Sequence, residues 1–125
     1  MKPKDVKRLQ RLARGLRVRP IAKDMLVVES KSSASGHHIV TIHYDENGTL
    51  RCRCSCAWAA HGGYGCSHVM AALAYLAEKR RRAISFWPTR EDAERQRNRM
   101  LRLVGSQSDD ENGLWITTRP LRQPA

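Results

Sequence analysis

The stretch from Cys52 to His68, CRCSCAWAAHGGYGCSH, constrains this chain more than any other part of it. It holds all four cysteines of the protein, Cys52, Cys54, Cys56 and Cys66. Thiolate and imidazole are the ligands zinc prefers, and structural zinc takes four of them in a tetrahedron. Cys54, Cys56, Cys66 and His68 make such a set, written C-x-C-x9-C-x-H. Residues two apart on an extended segment point to the same side, so a C-x-C pair can turn both sulfurs on one ion. A C-x-H at the start of a helix adds a sulfur and an imidazole from a single turn.

Other readings of these residues compete with that one. The run C-R-C-S-C leaves the pairing Cys52/Cys54 open, but Cys52 reads better as a small buried hydrophobe. His61 reads as a solvent-facing loop histidine, and His37, His38 and His43 as sheet-surface residues. Trp58 and Tyr64 read as aromatics packed over the metal loop. A disulfide or a nucleophilic cysteine competes weakly, since C-x-C rings are strained and the compartment is expected to be reducing. That expectation rests on two absences. No run approaches the ~20 apolar residues of a membrane span, and the N-terminus lacks the apolar core of a secretory signal. The chain is thus expected to be intracellular, cytoplasmic or associated with nucleoid or nucleus, where clustered cysteines serve metals.

A chain of 125 residues makes one domain with extensions. Only 6% of it is aromatic, so the core should be modest, and small cores are often supplemented by a metal. Lys4 to Arg14 carries Val6, Leu9, Leu12 and Ala13 on one helical stripe, with Gly15 as a stop. Met25-Leu26-Val27-Val28 is β-prone, and His37 to Tyr44 alternates. Asp45-Glu46-Asn47-Gly48 predicts a hairpin turn, returning through Thr49 to Cys56 as a third antiparallel strand. From Ser67 the sequence SHVMAALAYLAEKRRR predicts a helix with Val69, Ala72, Leu73, Leu76 and Ala77 buried. Ile84 to Pro88 is extended, and Thr89 with Asp92 starts a helix that the pattern continues to Val104. Leu114 to Thr118 is a last strand, so the final strands either form a small βαβ unit or extend the main sheet.

The expected fold is therefore α+β: a small zinc-stabilised antiparallel meander packed with an α-helix. A basic N-terminal helix and a C-terminal strand-helix-strand extension flank it. The expected organisation is 1–19 as the basic helical extension, 20–82 as the zinc-binding domain, and 83–125 as the C-terminal extension packed on the same domain.

The net charge of +11 is unevenly placed. Residues 2–19 carry eight basic side chains against one acid, residues 78–102 nine against four, and residues 20–77 balance at four and four. Seventeen of the 23 cations are arginine, the planar donor suited to bidentate phosphate contacts. This points to a polyanion partner, nucleic acid before any other. The candidate contacts are Lys7, Arg8, Arg11 and Arg14, then Arg80, Arg81 and Arg82, then Arg95, Arg97, Arg99 and Arg102.

The cysteine pattern and its surroundings resemble the SWIM-type zinc finger, C-x-C, a variable spacer, then C-x-H. Here "VVES…SGHHIVTIHY…GTLRCRCSC" resembles the family's hairpin leading into C-x-C, and "CSHVMAALAYL" its C-x-H opening an apolar helix. The resemblance covers roughly Met25 to Ala77 and implies Cys54, Cys56, Cys66 and His68 as ligands of one structural zinc. Proteins with SWIM fingers are associated with DNA-related work, as in transposases and recombination-associated factors, and with protein interaction. A closed set of four protein ligands leaves no position for water or substrate, and no Walker loop, H-E-x-x-H or Ser-His-Asp set is present. The expectation is a non-enzymatic binder of nucleic acid, DNA before RNA, with no membrane and no small-molecule substrate. The alternative is a protein-interaction adaptor in a nucleic-acid-processing complex, using Val6–Leu16 and Ala93–Val104 as docking helices.

Overall fold

Alternation, more than helix propensity, builds this molecule. The structure is a computed structural model that describes residues 5–30, 37–44, 48–55, 66–105 and 114–121. Helix α1 (Val6–Ala13) opens the described chain, and Asp5 caps it, its Oδ1 accepting from the Arg8 N–H at 3.0 Å. Four antiparallel strands follow: β1 (Leu16–Ala22), β2 (Met25–Ser30), β3 (His37–Tyr44) and β4 (Thr49–Cys54). Helix α2 (Ser67–Lys79) comes next, then β5 (Arg82–Trp87), the single-turn helix α3 (Arg90–Glu94), β6 (Arg99–Gly105) and β7 (Leu114–Pro120).

All seven strands join one curled sheet in the order β1-β2-β3-β4-β6-β7-β5. Neighbours are antiparallel except β4 and β6, which run parallel with Leu50 opposite Leu103. The expected mixed α+β class holds. The C-terminal strands extend the main sheet rather than forming a separate βαβ unit.

Each strand gives one face to the core, as its two-residue period dictates. Leu26 and Val28 of β2, Val40 and Ile42 of β3, and Leu50, Cys52 and Cys54 of β4 are buried with Val69 to Leu73 of α2. Phe86 of β5, Leu103 of β6, and Leu114 and Ile116 of β7 continue the same cluster. Helix α1 adds Val6 and Ala13 and packs against α2 and β5. Helix α3 lies on the other face at β5 and β7, where Arg90 stands over the Trp115 ring at 5.6 Å.

A sheet edge exposes unpaired backbone groups and must be managed. At the β5 edge the amide of Gln10 does this: its Oε1 accepts from the Phe86 N–H at 3.2 Å, and its Nε2 donates to the Ile84 carbonyl at 3.5 Å. At the β1 edge Pro20 sits where a missing N–H is tolerated. We expect Gln10→Ala to destabilise the fold by about 1–3 kcal/mol, because it leaves strand groups beneath a helix without partners. Urea midpoints of the two proteins give the answer; equal midpoints would mean that water replaces Gln10 without loss.

Two expectations about elements require correction. The meander has four strands, not three. Leu16–Ala22, whose alternating arginines and proline argue against a strand, pairs with β2 through a turn in which Asp24 takes φ 61°. The expected helix to Val104 ends at Glu94. Between Ala93 and Met100 the sequence offers no apolar residue to hold a helix on the core, and Arg97 turns the chain at φ 52°. Leu101 and Leu103 then alternate into the core as β6. The Thr89 start is correct, its Oγ1 accepting from the Asp92 N–H at 3.2 Å. Gly48 takes φ 78° at the end of the β3–β4 connection, as the Asn-Gly signal requires; Asp45 to Asn47 lie outside the described residues.

Candidate metal centre

Three expected ligands converge where β4 ends and α2 begins. Cys54 is the last residue of β4 and shares the inward face with Leu50 and Cys52. Its register partner Val40 is fully buried. Cys66 is the N-cap of α2, with an extended backbone (φ −69°, ψ 170°). His68 is the second residue of that helix and is half-buried. The Sγ atoms of Cys54 and Cys66 and a ring nitrogen of His68 lie within 4.8 Å of one another. Cys56, with Trp58, His61 and Tyr64, lies outside the described residues.

The donor set fits zinc. With Zn–S near 2.3 Å and Zn–N near 2.0 Å, a tetrahedral ion holds a sulfur and a nitrogen about 3.6 Å apart. Cys66 Sγ and His68 Nδ1 stand 3.8 Å apart. The thiol of Cys66 is drawn well below its ordinary range, to about 4. A hydrogen bond from Cys54 is the largest cause; His68 and the backbone N–H of Val69 add to it, against the opposing effect of burial. Metals bind the thiolate, so this environment favours the ligand's working form. Cys52 is the contrast. It is 2% exposed, and burial, with Cys66 second, pushes its thiol far above the usual range. It packs in the core as a neutral thiol.

One residue at the site belies its expected place. His38, read as a surface residue with His37 and His43, is half-buried, and its ring centroid lies 4.0 Å from that of His68. Burial first, then His68, lowers its pKa. The sequence carries the signal, since His38 shares the parity of Val40 and Ile42, whereas His37 and His43 alternate outward and are exposed.

Residues 38–77 match the family model of the SWIM zinc finger. That segment is similar to a SWIM zinc finger. The match spans 40 of the 125 residues (77 − 38 + 1), beginning at His38 and ending within α2. No curated protein and no solved structure matches the chain. Bound zinc would serve here as a structural cross-link. A zinc ion held by Cys54, Cys66 and His68 would fasten the end of β4 to the start of α2.

The basic residues expected to contact nucleic acid fall into unlike environments. Arg8, Arg11, Arg14, Arg80 and Arg81 are exposed. Lys7 instead lies over the Trp87 ring at 3.6 Å, and burial lowers its pKa. Arg82 is half-buried and donates to the Thr118 hydroxyl and carbonyl at 3.2 and 3.1 Å. Arg95 pairs with Asp92 at 3.6 Å, Arg97 occupies a turn, and Arg99 and Arg102 lie on β6 rather than on a helix. Among the described residues, no helix is long and apolar enough to cross a membrane.

Proposed function

We propose that this SWIM-finger protein is a non-enzymatic nucleic-acid binder, with DNA preferred to RNA. The zinc clip holds its basic elements in a fixed relation. The observation that carries this reading is the pairing of α1 with α2. Together they carry exposed Arg8, Arg11, Arg14, Lys79, Arg80 and Arg81 against two acids, Asp5 and Glu78, and Asp5 is occupied as a cap. Arg14, Glu78 and Arg82 line one cavity, so the C-terminal ends of both helices meet in space. Positive potential from two helix ends attracts a phosphate backbone with little regard for sequence.

A fluorescence-anisotropy titration of labelled DNA duplex, single strand and matched RNA at rising salt tests this. Affinity should fall linearly on a log–log plot, with a slope of about −0.9 per phosphate neutralised on a duplex. No binding at low salt, or binding indifferent to salt, would overturn the proposal.

The adaptor reading draws on Leu12 and Leu121, which are 53% and 42% exposed. It is weakened by two facts. Ala93–Val104 is not a helix, and α1 already buries Val6 and Ala13 in the protein's own core.

A further inference from the structure

The helices cover one face of the β1–β4 meander, and among the described residues no helix covers the other. The bare face reads in rows across the strands: Arg17–Glu29–His37, Arg19–Val27–Ile39, Met25–Thr41–Arg53 and His43–Arg51. It therefore carries four arginines against one acid. Glu29 is itself engaged, its Oε2 lying 2.8 Å from Nε2 of His37. Arg17, Arg19 and Arg53 are exposed. Between the arginines of the edge strand β1 and those of β4, Ile39 is 43% exposed, while Val27 beside it is buried at 8%. Ile39 is held there from both sides of its peptide: its N–H donates to the Ser55 hydroxyl at 2.9 Å, and its carbonyl accepts from the Ser55 N–H at 3.1 Å.

We infer that this bare sheet face is a platform for single-stranded nucleic acid, laid across the strands. The inference rests on the nucleic-acid reading above and adds the sheet face to the helix ends as the contact surface for unpaired strands. At about 4.8 Å per strand, β1 and β4 stand roughly 14 Å apart, so the two arginine columns bracket a strip wide enough for a few nucleotides. The guanidinium groups neutralise phosphates, and their planes also stack on bases. Exposed Ile39 between them takes the apolar faces of unpaired bases and sugars. A duplex would present only its phosphates to this surface, because among the described residues no helix projects from the face to enter a groove. Charge complementarity, with exposed Ile39 between the arginine columns, selects the single strand.

The test uses zinc-loaded full-length protein and a labelled oligo-dT strand, with the matching duplex alongside. In the triple variant Arg17→Gln/Arg19→Gln/Arg53→Gln, affinity for the single strand should fall at least tenfold. Its salt slope should drop by about 2, at roughly 0.7 for each phosphate that is no longer neutralised. A control variant on β7, away from both surfaces, Arg119→Gln, should change single-strand affinity less than twofold. Circular dichroism and zinc content check that both variants stay folded. If wild type binds neither nucleic acid, the function proposed above fails. If wild type binds but the sheet variant binds equally well, that function stands and the platform fails. Tighter binding to duplex than to single strand also overturns the platform. So would an equal tenfold loss for a poly-glutamate peptide, which would make the face a general anion surface.

Discussion

Holo protein should contain one zinc per chain, and a chelator that removes it should unfold the molecule. Structural zinc in finger peptides contributes apparent binding energies of about 10–16 kcal/mol. A domain of this size is stable by only about 5–15 kcal/mol in total. The metal term is thus as large as the whole balance, and it acts where the end of β4 meets the start of α2. Cys54 and Cys66 are buried at 5% and 6% exposure, among Val40, Val69 and Met70. Without the ion, the Cys66 thiolate would sit in an apolar setting with hydrogen bonds alone to stabilise it. Cys66→Ala and His68→Ala should each abolish both zinc content and the cooperative thermal transition. Cys56→Ala should do the same, whereas Cys52→Ala should keep its zinc, and that contrast decides which pair of the C-R-C-S-C run binds. Elemental analysis with circular dichroism measures all four. A fully folded, metal-free protein would falsify the site.

The site is more legible in the sequence than the fold is, and the reason is physical. Metal ligation depends on residue type and on spacing along the chain, both of which a sequence displays. Cys54, Cys66 and His68 stand out by type and spacing alone, and they converge. Long-range pairing depends on what other segments leave unsatisfied. The stretch Arg90–Val104 has helix-favouring residues throughout, but β4 and β7 offer two open edges, and Met100 to Val104 fills the gap between them. Local propensity is a weak prior against a strand position bonded on both sides. The β1 strand is hidden differently. Its outward arginines and Pro20 look like a linker, and only its edge position makes them acceptable in a sheet. His38 is hidden by its company: flanked by a polar run and an exposed histidine, it looks like surface, yet the alternation that buries Val40 and Ile42 turns it inward as well.

Phe86→Ala tests whether the zinc finger and the C-terminal strands fold as one cooperative unit. Phe86 lies on β5, outside the residues matched by the family, and is 1% exposed. It faces Ile116 across the β5–β7 pair and, with Met70 of α2, lines a cavity of about 410 Å³ at the meeting of α1, α2, β1 and β5. Large-to-small changes of this kind cost about 3–5 kcal/mol. The lower end is expected here, because the neighbouring cavity is open and water can enter the vacated volume rather than leave a void. A loss of about 3 kcal/mol should lower the melting temperature by roughly 10 °C. Phe86 belongs to the same buried cluster as Cys54, Cys66 and Met70, so the variant should melt in a single transition with zinc release at its midpoint. Zinc release can be followed with a metallochromic dye during the melt. Two transitions, an early one that leaves zinc bound and a later one that releases it, would instead make the SWIM finger a separate unit. The parallel joint between β4 and β6, with Leu50 and Leu103 both buried across it, argues for the single transition.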